Sequence, residues 1–168
     1  WVLRQSCVEM ANWLQDHPEH PLIMRVNLSA LQLAEAGLLE DVDDALVSAG
    51  LTADRLCVEV TEGAMLHETS TVRGNMAGLN RRGVRVAIDD FGVGYSSYQT
   101  LRILDVDRVK IDRDFVTGLL VAERDRIIVA SLIRLAHDLG LDVVAEGVES
   151  THIWDALAEL GCDVAQGY

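Results

Sequence analysis

The chain has 168 residues, enough for one domain, and its apolar fraction of 49% is typical of a globular protein. The formal net charge of −13 argues against binding to a DNA or RNA polymer, because such partners select clustered Lys and Arg. Three widely spaced cysteines and five histidines without an HExxH pattern indicate neither a disulfide framework nor a zinc site.

Apolar runs of strand length alternate with segments of helical periodicity along the whole chain. A first helix, with Leu3, Cys7 and Met10 on one face, is predicted to end near Pro18. Strands are predicted over residues 22–26, 55–60, 84–88, 108–111, 141–145 and 162–165. The intervening helices carry apolar stripes that include Leu39 and Leu46, Val72 and Leu79, Tyr98 and Leu104, Ile128 and Leu135, and Trp154 and Leu160, with a short turn around Phe115.

This alternation gives about six βα units without a linker. Near-continuous apolar strands separated by helices indicate a parallel sheet that is covered on both faces. Two architectures satisfy the pattern. One is an open doubly wound sheet, and the other is part of a (β/α)8 barrel, whose complete form has about 250 residues.

Polar residues stand at the C-terminal end of each predicted strand. They are Asn27 and Ser29, Glu59 and Glu62, Asp89 and Asp90, Lys110 and Asp112, Glu146 and Glu149, and Gln166. In a barrel these ends open on one face, so we expect the side chains to converge. So many carboxylates would repel one another without a compensating cation. Oxygen ligands of this kind suit Mg²⁺ or Mn²⁺, and a pair of ions sharing a carboxylate suits attack of water on a phosphodiester.

The most informative stretch is DDFGVGYSS, residues 89–97. We expect Asp89 and Asp90 to lie where the strand over 84–88 stops, because side chains alternate and both carboxylates could not face one side of a strand. The glycines that follow, Gly92 and Gly94, would let the backbone turn tightly beside them.

Several of these residues also have a purely structural interpretation. Asn27 or Ser29 could cap the following helix, and Glu62 could be an acid in the first turn of a helix. Lys110 could pair with Asp112 at a solvated rim. An acidic pair also occurs in phospho-acceptor receiver domains, but there the lysine follows much later in the chain. Repetition of polar residues at every strand end favours a shared functional site.

Taken together, the motifs resemble those of EAL-domain cyclic di-GMP phosphodiesterases. The matching segments, in order, are NLS (27–29), EVTE (59–62), DDFGVGYSS (89–97), KIDRDFV (110–116), EGVES (146–150) and QGY (166–168). The resemblance covers essentially the whole chain. It implies a modified TIM-type (β/α)8 barrel that hydrolyses cyclic di-GMP to linear pGpG in bacterial signalling, with one or two Mg²⁺ or Mn²⁺ ions.

The resemblance also implies metal ligands at matched positions. Asn27, Glu59 and Asp89 would bind metal, and Asp90 would bind a second ion that Asp89 bridges. Glu146 would serve as a further ligand or as a general base.

Other matched residues would support catalysis. Lys110 would hold and polarise the attacking water, while Asp112 and Gln166 would support the waters around the ions. Glu62 would brace the glycine-rich loop at 90–97, which this family couples to dimerisation. The remaining supporting residues would be Phe91, Gly92, Gly94 and Glu149.

The Glu-Ala-Leu sequence that names the family, which contributes a metal ligand, lies upstream of the segment that this chain matches. We therefore expect residues 1–168 to form an EAL domain truncated at both ends, an incomplete barrel with weak or absent catalysis by itself. The parent protein is expected to form a homodimer, to carry N-terminal sensory or diguanylate cyclase (GGDEF) domains, and to place this domain in the cytoplasm. The alternative is a degenerate EAL domain that binds cyclic di-GMP or a protein partner without hydrolysis.

Overall fold

The computed structural model describes residues 1–20, 22–65, 69–93, 101 and 105–168. Within these ranges, six parallel strands pair in chain order. They are β1 Met24–Leu28, β2 Leu56–Thr61, β3 Arg85–Phe91, β4 Arg108–Ile111, β5 Asp142–Glu146 and β6 Val164–Gln166. A doubly wound sheet reverses its strand order at a switch point, and this sheet does not. The order is that of an incomplete TIM-type barrel, which confirms the barrel prediction.

The first helix precedes β1, and the other helices with described bounds lie between consecutive strands. The helices are α1 Val2–Asp16, α2 Ala30–Leu33, α3 Leu38–Ala49, α4 Glu62–Met65, α5 Ser70–Arg82, α6 Arg113–Gly118, α7 Glu123–Asp138 and α8 Thr151–Glu159. Left-handed glycines end two of them, Gly50 (φ 63°) after α3 and Gly83 (φ 79°) after α5. In the described part of the chain, no helix has the length and apolar character that crossing a bilayer requires.

Alternation along the strands separates an apolar face from a polar face. One face carries buried side chains such as Val58, Val86 and Val109, which belong to the main hydrophobic core. The opposite face, here called the inner face, carries Arg25, Asn27, Cys57, Glu59, Ala87, Asp89, Lys110, Val144 and Glu146. Burial of each large core side chain contributes about 1.5–3 kcal/mol, so the apolar face anchors the sheet against the helices.

All of the observed strands except β4 end later than the apolar runs predicted. The predicted strand over 22–26 is β1 at Met24–Leu28, where Asn27 pairs in register with Glu59. The prediction used hydrophobicity, which indicates burial, whereas the backbone ladder continues through polar residues. Asn27 and Glu146 therefore lie within strands rather than beyond them, while Glu59 lies within a strand as predicted.

The placement of Asp89 and Asp90 beyond the end of a strand was wrong. β3 continues through both residues to Phe91, and its register with β4 shifts between Ile88 and Phe91. Ile88 pairs with Val109 and Phe91 pairs with Ile111, so β3 contains one extra residue. Asp90 has φ 54°, a left-handed conformation that aspartate tolerates better than most residues. This β-bulge breaks the alternation and lets consecutive carboxylates share a face.

Some predicted features fall elsewhere or outside the description. The turn around Phe115 is the helix α6. Of the helix predicted around Tyr98 and Leu104, only Leu101 is described, and it is buried. Gly94 lies outside the described residues.

Two aspartates link neighbouring strands at the N-terminal edge of the sheet. Asp107 Oδ2 accepts a hydrogen bond from Val86 N at 2.8 Å, and Asp163 Oδ2 accepts one from Val143 N at 2.8 Å. Asp163 Oδ2 also lies 2.9 Å from His137 Nε2. Burial alone would raise the pKa of Asp163, but its bonds to His137 and Val143 outweigh burial and hold the pKa below its usual value.

Candidate active site

Lys110 is the only lysine in the chain, and it lies at the centre of a carboxylate cluster on the inner face. Its Nζ atom is 2.9 Å from Glu59 Oε2, 2.9 Å from Asp89 Oδ1 and 2.6 Å from Glu146 Oε1. The Lys110 side chain is 5% exposed. These four side chains come from β2, β3, β4 and β5, so the parallel register brings them together. The ammonium has three donors, and each has a carboxylate acceptor.

Burial and pairing act on Lys110 in opposite directions. Burial alone would lower the pKa of the ammonium, because it disfavours the charged form. The hydrogen bonds to Glu146, Asp89 and Glu59 outweigh burial, so the pKa lies well above its ordinary value. These carboxylates therefore favour the charged form of Lys110.

A second cation faces Glu59 from the neighbouring strand. Arg25 Nε lies 3.8 Å from Glu59 Oε1, on the side opposite the oxygen that pairs with Lys110. Glu59 is buried at 6% exposure, so charged neighbours on both oxygens offset its desolvation. Sequence reasoning did not select Arg25, although its spacing of two residues from Asn27 places both on the inner face.

The bulge in β3 brings both of its aspartates to the cluster. Asp89, Asp90 and Glu146 each present one oxygen, and these three oxygens lie within 4.8 Å of one another. Burial first, and then the charges of Asp89 and Asp112, raise the pKa of Asp90. One lysine does not compensate all of these acids. The oxygen donor set fits Mg²⁺ or Mn²⁺, which prefer carboxylate ligands.

Three predicted residues near the C-terminal ends of β1 and β2 have different surroundings. Asn27 is exposed on β1, beside Glu59 in the register. Ser29 forms a capping box with Gln32 at the start of α2, so its structural interpretation applies. Glu62 begins α4, is 1% exposed, and accepts a hydrogen bond from Gly92 N at 3.3 Å. That bond joins Glu62 to the residue after the bulged strand.

Asp112 is the N-cap of α6, and its Oδ1 accepts a hydrogen bond from Asp114 N at 2.8 Å. It also interacts with Asp90. Lys110 pairs with Glu59, Asp89 and Glu146, rather than with Asp112 as the rim interpretation supposed.

The remaining predicted residues lie around the end of the sheet. Gln166 lies in β6 opposite Glu146, and Glu149 is exposed in the connection from β5 to α8. Phe91 is the last residue of β3 rather than part of a loop, and its side chain is fully buried in the core. Gly92 has φ 101°, and an added Cβ would lie 3.2 Å from Phe115. Only glycine adopts this conformation without strain.

Cys57 is a further inner-face residue that the sequence did not single out for chemistry. Burial, followed by the charge of Glu59, raises the pKa of its thiol to about 11. The thiol is therefore protonated at neutral pH and is a poor nucleophile.

Comparison with known proteins places this geometry in a family. A family model of the EAL domain matches residues 1–168. The chain is 39% identical over 168 residues to MucR of Pseudomonas aeruginosa, a bifunctional diguanylate cyclase and cyclic di-GMP phosphodiesterase. The match covers 100% of this chain and 24% of MucR. The chain thus spans about a quarter of the length of the curated relatives it matches.

Solved structures share the fold. A complex of the MucR phosphodiesterase with c-di-GMP matches with a TM-score of 0.93 at 39% identity, over 99% of this chain and 67% of that chain. The EAL domain of DcpA from Mycobacterium smegmatis matches with a TM-score of 0.93 at 41% identity, over 99% and 75% of the two chains. Klebsiella pneumoniae BlrP1, solved with manganese and c-di-GMP, gives 0.87 at 32% identity, over 99% and 42%. On the match along its whole length, the chain belongs to the EAL domain family.

Proposed function

We propose that the protein containing these residues is a metal-dependent phosphodiesterase that hydrolyses cyclic di-GMP to linear pGpG. The observation that carries the proposal is the convergence of Glu59, Asp89 and Glu146 on Lys110 from separate strands. Membership in a family whose relatives include a cyclic di-GMP phosphodiesterase supports the substrate.

The acids would hold the cations. Asp89, Asp90 and Glu146 offer oxygens within 4.8 Å of one another, and Glu59 and Asn27 lie on adjacent inner-face positions. One or two Mg²⁺ or Mn²⁺ ions in this set would activate the water nucleophile and stabilise charge that develops on the phosphodiester. Manganese with c-di-GMP in BlrP1 supports this choice of ion.

Lys110 would position the attacking water. All three of its donors have carboxylate acceptors in this structure, so one donor must leave its carboxylate before the ammonium can hold a water. Glu146 has the shortest contact, at 2.6 Å, and its side chain is 20% exposed. This contact supports a role for Glu146 as the base that would take a proton from a water held by Lys110.

The electrostatics of the chain favour a localised anion site. With a net charge of −13, the protein repels polyanions in general, so a dinucleotide would bind only where cations are concentrated. We also propose supporting roles for the residues around the carboxylate cluster. These residues are Asp112, Gln166 and Glu149, Glu62 at the Gly92 turn, and Phe91, Gly92 and Gly94.

The context of the domain is also proposed. We infer a homodimeric parent protein with N-terminal sensory or GGDEF domains and a cytoplasmic EAL domain. The greater length of the relatives and the two activities of MucR support the presence of further domains.

The test uses the full-length protein with cyclic di-GMP in Mn²⁺ or Mg²⁺, and chromatography to identify pGpG. We expect turnover that EDTA abolishes, and a loss of at least about 100-fold in Glu146→Gln, a range expected for removal of a general base. Glu159→Gln, at an exposed site in α8, is the matched control and should retain activity. Binding of cyclic di-GMP without turnover would favour the degenerate receptor instead.

A further inference from the structure

The connection from α1 to β1 gathers a second set of metal-ligand side chains. His17, Glu19 and His20 each present one ligand atom, and these three atoms lie within 4.8 Å of one another. His20 Nε2 lies 3.5 Å from Glu19 Oε1. The two imidazole centroids are 5.8 Å apart, with the ring planes at 64°. An HExxH pattern describes ligands on one helix, whereas this loop brings histidines at positions i and i+3 together.

The backbone around these residues is held by hydrogen bonds. His17 N donates to Trp13 O at 2.8 Å, which anchors His17 to the last turn of α1. His20 N donates to His17 O at 3.2 Å and closes the turn, while Pro18 between them fixes one backbone angle. Arg55 Nη1 donates to Leu22 O at 3.1 Å and holds the next segment. These hydrogen bonds hold the backbone of the turn that carries the three ligands.

The separations suit a small transition-metal ion. Zn²⁺ forms bonds of about 2.0–2.1 Å to nitrogen and oxygen, which places tetrahedral ligand atoms about 3.3 Å apart. The 3.5 Å contact between His20 and Glu19 already matches this spacing. The side chains of His20 and Glu19 are 59% and 67% exposed, so they can rotate into tetrahedral spacing without disturbing the packing. Exposure also leaves room for water at a fourth position.

The donor chemistry separates this site from the carboxylate cluster. Two imidazoles and one carboxylate favour Zn²⁺ over Mg²⁺, whereas the cluster around Lys110 has oxygen donors only. The loop enters β1 at its N-terminal end, while the carboxylates lie towards the C-terminal ends of the strands. The N-terminal face of a parallel barrel serves stability rather than chemistry.

We propose that His17, Glu19 and His20 form a Zn²⁺ site in the turn that follows α1. The site holds one ion through two imidazole nitrogens and a carboxylate oxygen. The folded turn holds the three ligand atoms within 4.8 Å of one another, whereas the unfolded chain must first order them, so Zn²⁺ occupancy stabilises the folded chain. This proposal is independent of the phosphodiesterase activity.

The experiment measures Zn²⁺ binding by calorimetry and thermal unfolding with and without Zn²⁺, in a buffer containing millimolar Mg²⁺ to occupy the carboxylates. We expect one Zn²⁺ equivalent and a raised unfolding midpoint. His17→Ala or His20→Ala should weaken Zn²⁺ binding by at least about tenfold. Loss of a residue that only hydrogen-bonds a metal ligand already costs about tenfold or more, and loss of the ligand itself should cost no less. The variant with both histidines replaced should lose the bound Zn²⁺ equivalent and the rise in the unfolding midpoint. Glu19→Gln should weaken Zn²⁺ binding.

His152→Ala is the matched control, because His152 is an exposed histidine in α8 away from both sites. It should bind Zn²⁺ as the unaltered protein does. The proposal is overturned if the unaltered protein takes up no Zn²⁺ at 100-fold molar excess. It is equally overturned if the double variant retains the same equivalent and shift, since the ion would then sit elsewhere.

Discussion

Replacing Lys110 by methionine tests whether this single ammonium holds the carboxylate cluster together. Methionine keeps the length of the side chain and its apolar stem, so the change removes mainly the charge. Breaking a buried ion pair costs about 3–5 kcal/mol, because the partner charge is left uncompensated. Asp89 and Glu146 are 16% and 20% exposed and retain some solvation, so we expect the lower end, about 3 kcal/mol.

The assay is urea unfolding in EDTA, repeated with Mg²⁺. In EDTA the Lys110→Met variant should lose about 3 kcal/mol in the free energy of unfolding. Mg²⁺ should then stabilise the variant more than the unaltered protein, because the ion no longer competes with an ammonium for the same oxygens. Since Lys110 is the only lysine, ¹⁵N-lysine labelling also yields a single side-chain ammonium signal, which Mg²⁺ should shift in the unaltered protein.

Arg134→Met is the control, because Arg134 pairs with Asp138 at 3.8 Å on the exposed face of α7. Such a surface change alters stability by about 0.5 kcal/mol at most. Equal stability of Lys110→Met and the unaltered protein in EDTA, with the same gain from Mg²⁺, would refute the reasoning that the ammonium compensates the cluster.

Three further predictions concern the bulge and the sheet edge. Asp90→Asn should raise the thermal midpoint of the protein in EDTA, because it relieves repulsion between carboxylates and keeps a side chain that tolerates φ 54°. Asp90→Ala should lose about 1–2 kcal/mol of stability to backbone strain. A lower midpoint for the asparagine variant would contradict this reasoning. Gly92→Ala should destabilise the protein by about 1–3 kcal/mol in urea unfolding, because a residue with a Cβ is strained at φ 101°. Unchanged stability of this variant would rule out backbone strain at this position. The lowered pKa of Asp163 means that its stabilisation is present above its unfolded value of 3.8 and is lost as pH falls through the folded pKa. Asp163→Asn should therefore flatten the acid side of the stability curve, measured by unfolding between pH 2 and 5, and a curve of unchanged slope would count against it.

The regular part of the fold was predictable from the sequence. Alternating apolar runs and helical stripes indicated about six βα units, and six parallel strands in order confirm them. The β4 prediction over 108–111 agrees with the structure at both ends. The ends of α3 and α5 at Gly50 and Gly83 follow from local chemistry, because glycine adopts the left-handed conformation that stops a helix.

The polar part of the site was less predictable. The apolar run ends at Ile88, but the backbone pairing of β3 continues to Phe91, so hydrophobicity predicts too short a strand. The bulge at Asp90 depends on pairing with β4, a non-local interaction that a single segment does not encode. The contact of Arg25 with Glu59 likewise depends on tertiary placement, although alternation from Asn27 could have indicated Arg25. His17 and His20 meet through a local turn instead.

One inserted residue in β3 couples the carboxylate cluster to the packing of the core. Without it, strict alternation would turn Asp90 towards the helices and Phe91 towards the acids, since a slip of one position exchanges the faces of a strand. Deleting a single residue there would thus impair core packing and the proposed cation site at once. Exchanging a side chain at this point keeps the register of β3, whereas changing the length of the strand does not.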